Sequence, residues 1–144
     1  MPLRIRARAA LVIVLAFAFA LAACSRPAST GGATTQGVRV TEVDLGRSLN
    51  ADKTIGDKTD SFRPADTIYA AVVTEGSSTN AALKARWTYQ DGQLVDESVR
   101  TIAPAGKATT EFHISKPDGL PTGKYKVEIS LDGTSAGTKN FEVK

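Results

Sequence analysis

One thiol, one imidazole and one run of aspartates are where chemistry would have to reside in this chain of 144 residues. Cys24 is the only cysteine and His113 the only histidine. Two such residues cannot supply the four-ligand Cys/His set that holds structural zinc. A lone cysteine also rules out a disulfide within the monomer. The stretch "NADKTIGDKTD" spaces Asp52, Asp57 and Asp60 along a loop. Oxygen ligands suit Ca²⁺, but the alternating acids and fixed glycine of a calcium loop are missing. Lys53 and Lys58 are interleaved with them and would oppose a cation. A hydrated loop is therefore expected, with no metal.

Catalytic apparatus is equally sparse. His113 lies in "TTEFHIS", where strand alternation sends it outward beside Glu111 and Ser115. A catalytic histidine needs a nucleophile and an orienting group in reach, and the local sequence offers no such pair. No G-x-S-x-G elbow or phosphate-cradling glycine loop occurs. His113 is read as a solvated strand residue. The expectation is a chain without enzymatic activity and without a cofactor.

That leaves Cys24, whose surroundings are informative. Arg4, Arg6 and Arg8 precede the uncharged run "AALVIVLAFAFALAA" (Ala9 to Ala23), and "SRPASTGG" follows the cysteine. The apolar run is shorter than the roughly 20 residues that span a bilayer comfortably. A basic start, a short apolar segment and small residues at its end make up a secretory signal. An ordinary signal cut at an A-x-A-like site would leave Cys24 as a free thiol, and an uncleaved anchor is the other alternative.

The tetrapeptide Leu21-Ala22-Ala23-Cys24 resembles the lipobox of bacterial lipoproteins. The resemblance covers the first 24 residues. It implies cleavage between Ala23 and Cys24, a diacylglycerol on the Cys24 sulfur and acylation of the new amino terminus. Two or more acyl chains give stable attachment to a lipid bilayer, where one is marginal. Ser25 stands where an Asp would signal retention in the inner membrane, so the same resemblance implies the outer membrane, facing the periplasm. The covalent lipid would be the only prosthetic group.

Loss of residues 1–23 alters the charge. The full chain has 18 Lys+Arg against 15 Asp+Glu, a net +3. Arg4, Arg6 and Arg8 leave with the signal, so 15 cations then face 15 anions. Nothing in that balance favours nucleic acid. Residues 24–37 comprise the modified cysteine and a small, polar, aperiodic tether. Extended, such a tether reaches about 40 Å.

Residues 38–144 remain, enough for one domain with one core. Their dominant period is two. In "GKYKVEISLDG", Tyr125, Val127, Ile129 and Leu131 face one way, and Lys124, Lys126, Glu128 and Ser130 the other. In "ALKARWTYQDG", Leu83, Ala85, Trp87 and Tyr89 alternate with Lys84, Arg86, Thr88 and Gln90. This is the pattern of strands with one buried and one wet face. "DTIYAAVVTE" is apolar on both faces, as a central strand would be. "TTEFHIS" turns Thr110, Phe112 and Ile114 inward, and "NFEV" does the same with Phe141 and Val143. "VRVTEVDL" buries Val38 and Val40 but then Val43 and Leu45, a change of parity that implies a bulge or a switch between sheets. Asp91-Gly92 and Asp132-Gly133 are hairpin signals. About seven short strands predict an all-β antiparallel sandwich.

The position of Trp87 mid-strand, Tyr125 after "PDGLPTGK" and the closing "FEVK" resemble the buried indole, tyrosine corner and last strand of an immunoglobulin-like sandwich. The likeness is to the broad class of bacterial extracytoplasmic Ig-like modules, without their inter-sheet cysteine pair. It implies that Trp87, Phe112, Tyr125, Val127, Ile129 and Phe141 form the core. It also makes neighbours of the strands carrying Trp87 and Tyr125. Lys84, Arg86, Lys124 and Lys126 would then share one outer face, interrupted by Glu128, as a basic contact surface. The resulting expectation is a membrane-anchored envelope lipoprotein displaying a non-catalytic Ig-like binding or adaptor module, its partner an envelope protein. The alternative is a carrier of small molecules or polysaccharide, using the loop from Asn50 to Phe62 or the turn Ser77 to Asn80. Phe62 and Arg63 are that loop's only platform candidates, and Phe62 is expected beneath it as a plug.

Overall fold

Period-two segments become strands throughout the computed structural model, which describes residues 37–144. In chain order these are β1 (Arg39–Gly46), β2 (Ser61–Phe62), β3 (Ile68–Glu75) and β4 (Ala81–Tyr89), then β5 (Gln93–Ile102), β6 (Ala108–Ile114), β7 (Gly123–Leu131) and β8 (Thr134–Val143). They form two sheets, one of three strands in the order β1-β3-β6 and one of five in the order β2-β8-β7-β4-β5. All pairings are antiparallel except that of β2 with β8, which is parallel. Two β-sheets with this alternation stack their apolar faces and leave the other faces wet. Among the described residues no helix is long and apolar enough to cross a membrane.

Strand β3, apolar on both sides, is the centre of the smaller sheet, and six of its eight positions are buried, Tyr69 and the terminal Glu75 only in part. From the smaller sheet Val43, Leu45, Ile68, Ala70, Val72, Phe112 and Ile114 enter the core. From the larger come Leu83, Ala85, Trp87, Tyr125, Val127, Ile129, Phe141 and Val143. Burying aliphatic and aromatic side chains of this size contributes about 1.5–3 kcal/mol each. All six expected core residues are there.

The parity change in the first strand is a bulge. Pairing of β1 with β3 slips between Val40 and Glu42, so Val43 and Leu45 face the core while Val40 is only half-buried. Val38 is half-buried as well. The expectation that both are fully buried is corrected, because they lie on the sheet's margin before the bulge. The chain then leaves this sheet and adds β2 to the other, beside β8. The element count is eight because β2 has only two residues. At the β7–β8 turn, Asp132 and Gly133 both take positive φ, 49° and 83°, as a two-residue hairpin with Leu131 opposite Thr134 requires. The Asp91-Gly92 connection is longer, with positive φ at Gln90 and Gly92 instead.

The signal expected at residues 1–23, with cleavage at Ala23 and Cys24, lies outside the described residues. So does the lipidated Cys24 with nearly all of the tether.

Candidate functional site

The four cations singled out in the sequence are brought to one face. Strands β4 and β7 are neighbours, with Lys84 opposite Ser130, Arg86 opposite Glu128 and Thr88 opposite Lys126. Alternation along each strand puts these polar residues on the outer side of the five-stranded sheet, opposite buried Trp87, Val127 and Ile129. Glu128 does interrupt the row.

The face has two halves of different character. In one, Lys84 and Arg86 approach Glu97 of β5, at 3.8 and 3.9 Å. The sequence reading missed Glu97 because it did not recognise β5 as a strand. In the other half, Lys124 and Lys126 make no ion pair among the described residues. They line a shallow concavity of about 640 Å³, together with Lys144, Gln90 and Asn140. Asp60 and Glu142 are on its rim, and Lys144 Nζ lies 3.2 Å from Glu142. Three ammonium groups therefore face two carboxylates and two amides. Such a surface can hold an anionic or polyhydroxylated group, but it holds no nucleophile and base in contact.

The rigid wall under this concavity is aromatic. Tyr125 stacks on Phe141 with centroids 5.2 Å apart and rings 16° from parallel. Its hydroxyl donates to the Pro121 carbonyl at 2.7 Å. This closes the expected tyrosine corner. Tyr89 repeats the tie, donating to the Thr122 carbonyl at 2.8 Å and accepting from Gln90 Nε2 at 2.8 Å. Gly123 passes so close that a Cβ would stand 2.9 Å from Tyr89 Cε2, at a φ of 141°. Burial pushes the Tyr125 hydroxyl above its ordinary value, with Tyr89 adding to the rise.

Trp87 is fully buried and edge-on to Phe141, 5.8 Å between centroids. Its indole Nε1 has no hydrogen-bond partner. It is a packing residue, inaccessible to a surface ligand.

The aspartate loop is organised by arginine. Arg47 donates to Asp66 from Nε at 3.0 Å and to the Ser61 carbonyl at 2.7 Å, and reaches Asp57 at 3.4 Å. Its guanidinium also covers the Phe62 ring at 6.0 Å. Phe62 is buried and edge-on to Phe141, a plug as expected, while Arg63 is exposed. Asp52 turns back onto Thr54, accepting from its amide and hydroxyl, and this holds the carboxyl below its usual range. Asp57 is thus engaged with Arg47, and Asp60 lines the concavity. Among the described residues no group of three acidic, histidine or cysteine side chains converges for a metal.

His113 is exposed on β6 beside Glu111, Nδ1 to Oε2 3.3 Å, and near the ring of Tyr69 at 5.6 Å. The carboxylate is an orienting neighbour; a nucleophile is not among its contacts.

No family model matches the chain, and no curated protein matches it. Solved structures do. An immunoglobulin-like protein from Pseudomonas aeruginosa aligns with a TM-score of 0.55 at 14% identity, over 77% of this chain and 99% of that one. The alkylpurine DNA glycosylase AlkC of Pseudomonas fluorescens, bound to DNA containing an abasic site analog, aligns at 0.49 and 12% identity, over 74% of this chain and 30% of the glycosylase. A β-glucosidase of intestinal bacteria involved in saponin metabolism aligns at 0.48 and 18%, over 75% of this chain and 16% of the enzyme. The first likeness, with the 3+5 sheet arrangement and the tyrosine corner, defines the class: an immunoglobulin-like β-sandwich.

Proposed function

We propose that this chain is a lipid-anchored protein of the bacterial envelope, presenting its Ig-like sandwich as a non-catalytic binding module. Cys24 carries the lipid, residues 25–37 act as a leash, and the outer membrane is the site of attachment. The contact surface is the outer face of the five-stranded sheet, centred on Lys124 and Lys126. The observation that carries the choice of face is the concavity of about 640 Å³ in which Lys124 and Lys126 form no ion pair among the described residues. Nucleic acid is not the partner, since the processed chain balances 15 cations with 15 anions. An acidic surface on another envelope protein meets the chemistry best.

The amides of Gln90 and Asn140 beside the carboxylates of Asp60 and Glu142 support a second reading, a polysaccharide-binding module on the same face. Two measurements test the proposal. Fatty-acid labelling of growing cells should mark the protein and fail on Cys24→Ala; an unlabelled protein with residues 1–23 attached overturns the anchor. A photo-crosslinker at position 126 should give a discrete protein adduct that one at position 53 does not. A polysaccharide adduct would select the second reading, and no difference between the positions would sink both.

A further inference from the structure

Among the described residues two large apolar side chains are strongly exposed, Leu94 at 53% and Val99 at 58%. Both belong to β5, the end strand of the larger sheet. An end strand leaves every second N–H and C=O aimed away from its neighbour, free to pair with another strand. Natural sheets blunt such edges with proline, lysine or brevity. Here β5 runs ten residues, "QLVDESVRTI", without proline or lysine, and only the bulge at Val95 and its own charges interrupt it. Of the other end strands, β2 is two residues long, and the Glu111 carbonyl of β6 accepts from Arg100 Nε at 3.1 Å.

The order of charges on β5 selects its occupant. We infer that β5 pairs antiparallel with β5 of a second copy, about a twofold axis at Ser98. Facing residues of an antiparallel pair lie on the same side of the sheet, so registers that keep the sides matched differ by two residues. An axis at Glu97 would set the two Glu97 carboxylates against each other, a destabilising arrangement. An axis at Ser98 instead places Asp96 opposite Arg100 of the second copy, twice by symmetry. It also sets Val99 beside Glu97 on the outer side of the sheet. Asp96 has no ion pair among the described residues. Arg100 engages Glu111 with Nε and Nη2, and its guanidinium has further N–H groups to give. The bulge that interrupts pairing near Asp96 and Leu94 bounds the paired segment at one end. This contact does not depend on lipid attachment or on the lysine concavity.

The full-length protein in detergent, examined by sedimentation equilibrium, should show twice the protomer mass. Val99→Glu, which sets a second carboxylate beside Glu97 of the other copy, twice by symmetry, should weaken the dimer. Asp96→Lys, which sets two like-charged pairs across the axis, should raise its dissociation constant about tenfold. Ser98→Cys reads the register directly. Equivalent Cα atoms across an antiparallel pair stand about 4.5–5.5 Å apart, within disulfide range, so oxidation should link the two copies. The parent, with Cys24 as its sole cysteine, sets the background, and Thr101→Cys should not exceed it. A monomer at every concentration overturns the inference. So does a dimer indifferent to Val99→Glu and Asp96→Lys, or one that Thr101→Cys links as readily as Ser98→Cys.

Discussion

Single side chains here do structural work that their type alone would not assign. Tyr125 is amphipathic: its ring packs flat on Phe141 and its hydroxyl finds the Pro121 carbonyl at 2.7 Å. Removing that hydroxyl in Tyr125→Phe should cost about 1 kcal/mol, the net worth of an ordinary hydrogen bond. The same burial ties stability to alkali. Because the folded state favours the neutral phenol, the Tyr125 pKa is raised over its unfolded value of about 10. Its contribution is fully present below that unfolded value and is lost as pH rises through the folded one. Urea midpoints measured from neutral to alkaline pH should fall more steeply in the native protein than in Tyr125→Phe. Identical alkaline slopes would mean that burial does not govern this hydroxyl.

At the scale of elements, the sequence was legible where a strand had one wet and one dry face. Lys84 to Tyr89 and Lys124 to Leu131 alternate cleanly, because each lies over the core in the interior of the larger sheet. The bulge in β1 could be read from the jump between Val40 and Val43. Strand β5 could not, since an end strand over the sandwich's margin buries neither face and loses its period. That omission also hid Glu97, and with it the partial neutralisation of Lys84 and Arg86. The segment from Arg47 to Asp66 was opaque for a different reason: one arginine fixes it through contacts 10 to 19 residues away. This latch has a pH signature. The Arg63 amide first, then the Arg47 guanidinium, hold the Asp66 carboxyl below its usual range. Stability from Asp66 is present above the unfolded value of about 4 and is lost as pH falls through the lower folded one. Arg47→Ala should therefore lower the urea midpoint at neutral pH and flatten its acid dependence, leaving the part due to the Arg63 amide. An unchanged acid slope would remove Arg47 from that role.

For the whole molecule, the proposed processed form is the one whose charge matters, and it lacks the leading arginines. Residues 24–144 are neutral overall, so no long-range field draws the domain to an anionic surface. Any such attraction is local, arising where lysines outnumber the carboxylates around them, as Lys124, Lys126 and Lys144 outnumber Asp60 and Glu142. The outer face offers a direct comparison, because Lys84 and Arg86 lie within 4 Å of Glu97 whereas Lys124 and Lys126 do not. Reversing Lys124 and Lys126 to Glu should abolish binding to an acidic partner at low salt. The corresponding reversal of Lys84 and Arg86 should weaken it less, since Glu97 already offsets their charge. All four positions point to water, so neither double variant should alter the thermal midpoint much. In the native protein the binding should fade as ionic strength approaches about 0.1 M, where charges are screened beyond roughly 10 Å. If both reversals weakened binding equally, the face would act as one undivided patch, and the concavity would lose its claim to be the contact. Binding that ignored salt and both reversals would move the contact off this face altogether.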